Sequence, residues 1–270
     1  MPELPEVETV MRGLEPVLVG RRIVSVELRR ANLRFPFPAD FAVRLAGKRV
    51  LGLTRRAKYI VGGIEGGDSL LMHLGMTGRF SIGAAGDGAH DHVVFHLDTG
   101  PSIVYSDPRR FGMMDVFAGD EHRLLKNLGV EPLGNELNAE MLAQAFHKKS
   151  APLKAALLDQ RIIAGLGNIY VCEALHRSGL SPRRKAGTLK AGDPRLDSLI
   201  RHIRDILSEA ISAGGSTLQD FAHANGDSGY FQHRFSVYDR EGEACKTCGR
   251  AIKRLVQGGR STFYCGACQK

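Results

Sequence analysis

Several groups of residues in this chain have types and spacing that suit chemistry. The first is Pro2-Glu3, directly after the initiator. A small second residue lets the methionine be removed, which leaves Pro2 as a secondary amine. An α-amino group titrates at roughly 7.7–8.0, so part of it is unprotonated and nucleophilic near neutral pH. Amines attack carbonyl-like carbon and form Schiff bases. Glu3, beside it, is placed to give or take a proton. The alternative is an ordinary helix opened by a Pro-Glu cap.

The second group is Cys245-Lys-Thr-Cys248 and Cys265-Gly-Ala-Cys268. Two CxxC pairs at this separation surround one tetrahedral Zn²⁺. Four thiolates leave no open coordination position, so the metal is expected to be structural. The residues between them read as a hairpin turning at Gly258-Gly259. Arg260 follows that turn and either reaches a phosphate or stays a solvated charge. The fifth cysteine, Cys172, reads as a buried helix residue.

Further stretches are suggestive alone and no more. Asp107-Pro108-Arg109-Arg110-Phe111-Gly112 is a rigid turn with an arginine for a base edge and a phenylalanine that could wedge into a base stack. It equally fits surface arginines beside a core Phe. Arg55-Arg56-Ala57-Lys58-Tyr59 is a basic cluster or a solvated strand edge. His73-Leu74-Gly75-Met76-Thr77-Gly78 ends a strand in a turn, where Met76 and His73 read more readily as structural. Gly165-Leu166-Gly167-Asn168 opens a helix whose backbone N–H groups could hold a phosphate, with Asn168 as cap and donor.

These residues need elements to hold them. Val7, Val10, Met11 and Leu14 fall at helical spacing, with Pro5, Glu6 and Glu8 suited to a helix N-terminus. Short Val/Ile/Leu-rich strands are expected over 23–28, 48–55, 58–64, 69–74, 92–97 and 102–106, which suggests an antiparallel sandwich or barrel. Residues 83–92 read as an exposed loop. Helices are expected over 120–128, 138–149, 152–158, 167–178 and 194–212, with Asp193-Pro194 as a start signal. Residues 213–232 read as a long functional loop. The expected class is α+β: an N-terminal helix and antiparallel β-sandwich over 1–118, a linker over 119–131, a helical domain with a helix–two-turn–helix over 132–235, and a four-cysteine zinc finger over 236–270.

Composition narrows the partner. In 270 residues, 37 Lys and Arg against 29 Asp and Glu give a formal charge of +8, which favours an anionic polymer such as nucleic acid. A cleft between two basic halves would suit such a polymer. No apolar run approaches the roughly 20 residues of a membrane span.

Taken together, the motifs resemble the bacterial formamidopyrimidine-DNA glycosylases, the 8-oxoguanine DNA glycosylase/AP lyases. The resemblance runs nearly end to end, through PELPEVET at 2–9, RRAKY at 55–59, HLGMTG at 73–78, DPRRFG at 107–112, GLGNIY at 165–170 and GRSTFYC at 259–265. The related endonuclease VIII branch typically begins PEGPE and lacks the DPRRFG turn.

The resemblance implies roles. Pro2 attacks C1′ of the damaged nucleotide and Glu3 is the general acid/base. Lys58 serves β-elimination and Arg260 δ-elimination. His73, His90 (rather than His92), Lys149 and Asn168 hold the DNA backbone. Met76, Arg109 and Phe111 fill the gap left by the flipped nucleotide, with Arg109 on the orphaned cytosine. Lys154 is associated with the oxidised purine, and residues 217–226 correspond to a lesion-recognition loop. There Asn225 stands where the family often has aspartate. Also implied are one structural Zn²⁺, damaged double-stranded DNA as partner, a monomer and a bacterial cytoplasmic, nucleoid-associated location. An oxidised-pyrimidine enzyme and a non-enzymatic zinc-ribbon damage sensor are the competing readings.

Overall fold

The computed structural model describes residues 2–83, 88–119, 121–216 and 229–270. Helix α1 (Leu4–Leu18) starts where expected, because Glu3 and Glu6 form a capping box and Pro5 occupies the first turn. Its buried face is Leu4, Val7, Val10, Met11, Leu14 and Leu18, the helical repeat visible in the sequence.

The strands that follow are β1 (Arg22–Leu28), β2 (Lys48–Arg56), β3 (Tyr59–Ile64), β4 (Asp68–His73), β5 (Arg79–Gly83), β6 (Asp91–Leu97), β7 (Ser102–Ser106) and β8 (Met113–Ala118), with the short helix α2 (Phe41–Leu45) before β2. All pair antiparallel, in the order β5-β7-β6-β1-β2-β3-β4-β8. The β1–β2 join is brief, Arg22 to Arg49 and Ile23 to Lys48. It separates two four-stranded halves whose inner faces meet in one core. Phe80, Val93, Phe95 and Ile103 come from one half, Val50, Ile60, Leu70 and Val116 from the other, and Val7 to Leu18 of α1 pack into the same cluster. That is the expected sandwich with a helix set into it.

The helical part holds α3 (Ala139–Phe146), α4 (Leu153–Leu157), α5 (Asn168–Arg177) and α6 (Pro194–Ser212), then the hairpin β9 (Lys253–Gln257) and β10 (Arg260–Tyr264). Between α4 and α5 two turns are pinned by one side chain. Gln160 accepts the Gly165 N–H at 2.8 Å and donates to the Leu158 and Leu166 carbonyls at 3.0 and 2.8 Å.

Three expectations need correction. Residues 121–128 hold no helix and 123–127 form turns, since the His122 side chain takes the Leu124 N–H at 3.2 Å and anchors on Asp115 at 3.0 Å. Strands β5 and β8 lie outside the expected set; each is short and follows a glycine. β5 includes Gly83 and β6 begins at Asp91, so both ends of the loop expected over 83–92 are strand, and its residues 84–87 lie outside the described residues.

By contacts the chain divides into Met1–Lys126 with Ala213–Tyr230, and Asn127–Ser212 with Phe231–Lys270. The chain thus returns to the first unit after α6. There Ser216 bridges Tyr230, and the span expected to be a recognition loop, 217–226, lies outside the described residues.

Leu14 is 0% exposed in the sandwich core. Leu14→Ala is expected to lower the stability of the first unit by about 2–5 kcal/mol in denaturant unfolding, as buried leucine truncations do. A loss under about 1 kcal/mol would show that α1 is not part of that core.

Candidate active site and nucleic-acid interface

In the first unit, Pro2 and Glu3 are buried at the start of α1. The Glu3 N–H donates to Glu6 Oε2 at 2.8 Å, and the Ser216 N–H donates to Glu6 Oε1 at 2.9 Å. One buried carboxylate therefore fixes both the chain start and the returning segment.

Lys58 sits in the two-residue turn between β2 and β3 and is 8% exposed. Its partner in that turn, Ala57, has φ +54°, an unfavourable region for a residue with a Cβ. The turn is fastened to α1 by Arg55, which pairs with Glu8 at 2.8 Å and donates to the Ala57 carbonyl at 3.0 Å. The basic cluster is thus built into the structure and is not a solvated edge.

His73 ends β4 and packs against Tyr59 with ring centroids 4.8 Å apart and planes tilted by 44°. Its Nδ1 accepts the Gly75 N–H at 3.1 Å, which leaves Nε2 to carry the ring proton. Burial, aided by the Lys58 and Arg34 charges, pushes its pKa down to about 4. His73 is accordingly a neutral donor at physiological pH. His90 is exposed, whereas His92 is 2% exposed with Nε2 2.9 Å from the Asp107 carbonyl oxygen. Arg109 and Phe111 project from the 107–112 turn, the guanidinium 4.7 Å from the ring centroid, and Met76 lies half-buried on the neighbouring turn.

In the second unit, Gly258 and Gly259 both adopt positive φ, as a two-residue hairpin turn demands, and Arg260 is exposed just beyond. The next residue is anchored twice. The Ser261 carbonyl accepts from Lys154 Nζ at 3.0 Å and from Asn168 Nδ2 at 2.9 Å. Lys154 is 0% exposed, and its ammonium also donates to Thr262 Oγ1 at 2.7 Å. It therefore addresses the hairpin, not an open surface. Asn168 does not cap α5; Gly167 takes that position, and Asn168 Oδ1 is buried without a hydrogen-bond partner among the described residues. Lys149 is half-buried after α3.

Three side chains that sequence reasoning passed over hold these parts. Beyond Gln160, Glu173 of α5 is 1% exposed and accepts the N–H groups of Ser236, Val237 and Tyr238 at 2.8–3.0 Å. His176, one turn on, places Nε2 3.5 Å from Cys245 Sγ.

The ligand atoms of Cys245, Cys248, Cys265 and Cys268 lie within 4.8 Å of one another. Zn–S bonds of about 2.3 Å put sulfurs about 3.8 Å apart, so the cluster fits the ion. Burial raises the Cys245 thiol, but hydrogen bonds from the Thr247 and Cys248 backbone and from His176 outweigh it and bring it to about 7. Cys268, whose thiol donates to Cys248 and is further held protonated by burial and by the other sulfurs, is pushed up to about 12. A divalent cation removes that conflict among thiolates. The site holds one structural zinc.

The Formamidopyrimidine-DNA glycosylase N-terminal domain family matches residues 1–114, its H2TH domain family residues 128–222, and the zinc finger found in FPG and IleRS residues 242–270. The chain belongs to the formamidopyrimidine-DNA glycosylase family. The Formamidopyrimidine-DNA glycosylase of Beijerinckia indica is 59% identical over 288 residues, covering 100% of both chains. The MutM (Fpg) protein of Thermus thermophilus superposes with a TM-score of 0.89 at 39% identity, over 99% of this chain and 98% of that one. A Lactococcus lactis FPG variant bound to Fapy-dG containing DNA gives 0.91 at 32% identity over 100% of both. The chain is a DNA glycosylase with the AP lyase activity characteristic of the family. No helix among the described residues is long and apolar enough to cross a membrane.

The His73 ring should titrate near 4 by NMR. Between pH 6.5 and about 4 the unfolded chain binds a proton that the folded one refuses, so His73 makes stability fall as pH drops through this window. His73→Gln is expected to flatten the decline of Tm there. A ring titrating near 6.5 would contradict the burial.

Proposed function

We propose that this enzyme excises oxidised purines, 8-oxoguanine opposite cytosine and formamidopyrimidines, through Pro2, and then cleaves the abasic strand by β,δ-elimination. The observation that carries the reading is Pro2-Glu3, buried at the start of a capped helix. A base inside a duplex is out of reach, so the nucleotide must be turned out of the stack.

The freed Pro2 nitrogen then bonds to C1′ as the C1′–N bond to the damaged base breaks. Glu3 handles the proton that accompanies base departure and sugar-ring opening. The resulting iminium acidifies C2′; loss of that proton expels the 3′ phosphate, and a second elimination expels the 5′ phosphate. Lys58 assists the first elimination and Arg260 the second.

His73, His90, Lys149 and Asn168 hold the strand. His73 does so as an uncharged donor, given its depressed pKa. Met76, Arg109 and Phe111 fill the vacated space, and Lys154 acts on the purine through the hairpin that it holds. The net charge of +8 supports damaged duplex DNA as the partner, bound more weakly as salt rises. The reading includes a monomer acting in the bacterial cytoplasm at the nucleoid.

Borohydride reduction during turnover of an 8-oxoguanine:cytosine duplex tests the mechanism. A covalent protein–DNA adduct is expected, mapping by mass spectrometry to Pro2. An adduct at a lysine, or full excision by a protein whose terminus is acetylated, would overturn the reading.

A further inference from the structure

The turns that carry Met76 and the Arg109/Phe111 pair leave different strands, β4 and β7, yet they share one buried carboxylate. Asp107 is 0% exposed, and every polar atom it has is engaged. Its N–H donates to the His90 carbonyl at 3.0 Å. Its carbonyl accepts from Arg110 N–H at 3.2 Å and faces His92 Nε2 at 2.9 Å. Oδ2 takes the Gly112 N–H at 2.8 Å and the Tyr105 hydroxyl at 3.4 Å. Oδ1 takes the Thr77 hydroxyl at 2.5 Å, and that same hydroxyl oxygen accepts the Arg109 N–H at 3.3 Å.

The seam between the turns has no spare volume. A Cβ at Gly75 would collide with the Phe111 backbone, and one at Gly112 with the Tyr105 hydroxyl. Above this base the Arg109 and Phe111 side chains are exposed. A rigid base under an exposed tip is what a wedge entering a base stack needs, because unstacking costs on the order of a few kcal/mol and a yielding tip would not hold the gap open.

We propose that Asp107 and Thr77 are positioning residues that lock Met76, Arg109 and Phe111 into one wedge, so that reading the opposite base and filling the gap occur as a single event. Neither residue touches DNA; both act through the turns they join. The inference rests on the roles proposed above for those three side chains.

The test is Thr77→Val, which keeps the volume and removes the hydroxyl, beside Thr77→Ser, which keeps the hydroxyl. Single-turnover excision of 8-oxoguanine is measured opposite cytosine and opposite adenine. Scission of a preformed abasic site in a single strand, where there is no opposite base, is the third readout. Thr77→Val should shrink the cytosine-to-adenine ratio by about fivefold or more, within the range of one lost base contact. Its single-strand scission should stay within about twofold of the parent, and Thr77→Ser should keep the parent ratio. Arg109→Ala separates the lock from the wedge. If it loses the ratio while Thr77→Val keeps it, the lock is wrong and the wedge stands. If Arg109→Ala keeps the ratio, the wedge itself is wrong. Equal loss by Thr77→Val on all three substrates would show a merely structural role and overturn the proposal. Should that variant not fold, Thr77→Ala is read in the same way.

Discussion

The structure depends first on where the chain begins. The terminus is normally the most mobile part of a protein, and mobility is what the nucleophile proposed for Pro2 cannot have. Here the two oxygens of Glu6 accept the N–H of Glu3 and the N–H of Ser216. The start of α1 and the segment that returns from α6 are thereby tied to one carboxylate. The apolar face of α1 sinks into the sandwich, and the Glu8–Arg55 pair brings the Lys58 turn onto the same helix. Terminus, lysine and returning segment are positioned by a single element.

The second unit solves a different problem. Its exposed arginine lies on a two-stranded hairpin, which has little stability in water by itself. Zinc closes the base of the hairpin through four thiolates. Lys154 and Asn168 grip the Ser261 carbonyl beside Arg260, and Glu173 and His176 seat the entering chain and Cys245 on α5. The metal needs no chemical role to matter, since without it the arginine has no platform.

The sequence revealed features whose physics is local. The helical repeat from Val7 to Leu14, the paired cysteines and the glycine turn before Arg260 each depend on neighbours within a few residues. It concealed what depends on distant partners. Glu6 binds an amide 210 positions away, and Glu173 takes amides 63 to 65 positions on. Nothing in the sequence around Lys154 shows that its ammonium is spent on residues 107 and 108 positions away. Strand β5 carries an alternation, with Phe80 inward and Ser81 outward, that a stricter period-two reading would have found. The helix expected over 120–128 failed because His122 offers its ring to the backbone and to Asp115, a competition that propensity does not register.

The central claim is that the Glu6 carboxylate holds the terminus where it can react, and Glu6→Gln tests it most directly. The amide keeps the shape but sets its NH2 against one of the two N–H donors. Iminium formation at a preformed abasic site, followed by borohydride trapping in protein confirmed as folded, is the readout. A rate lower by about fivefold or more is expected, in line with one unsatisfied buried donor. An unchanged rate would show that the terminus finds its target without the cap.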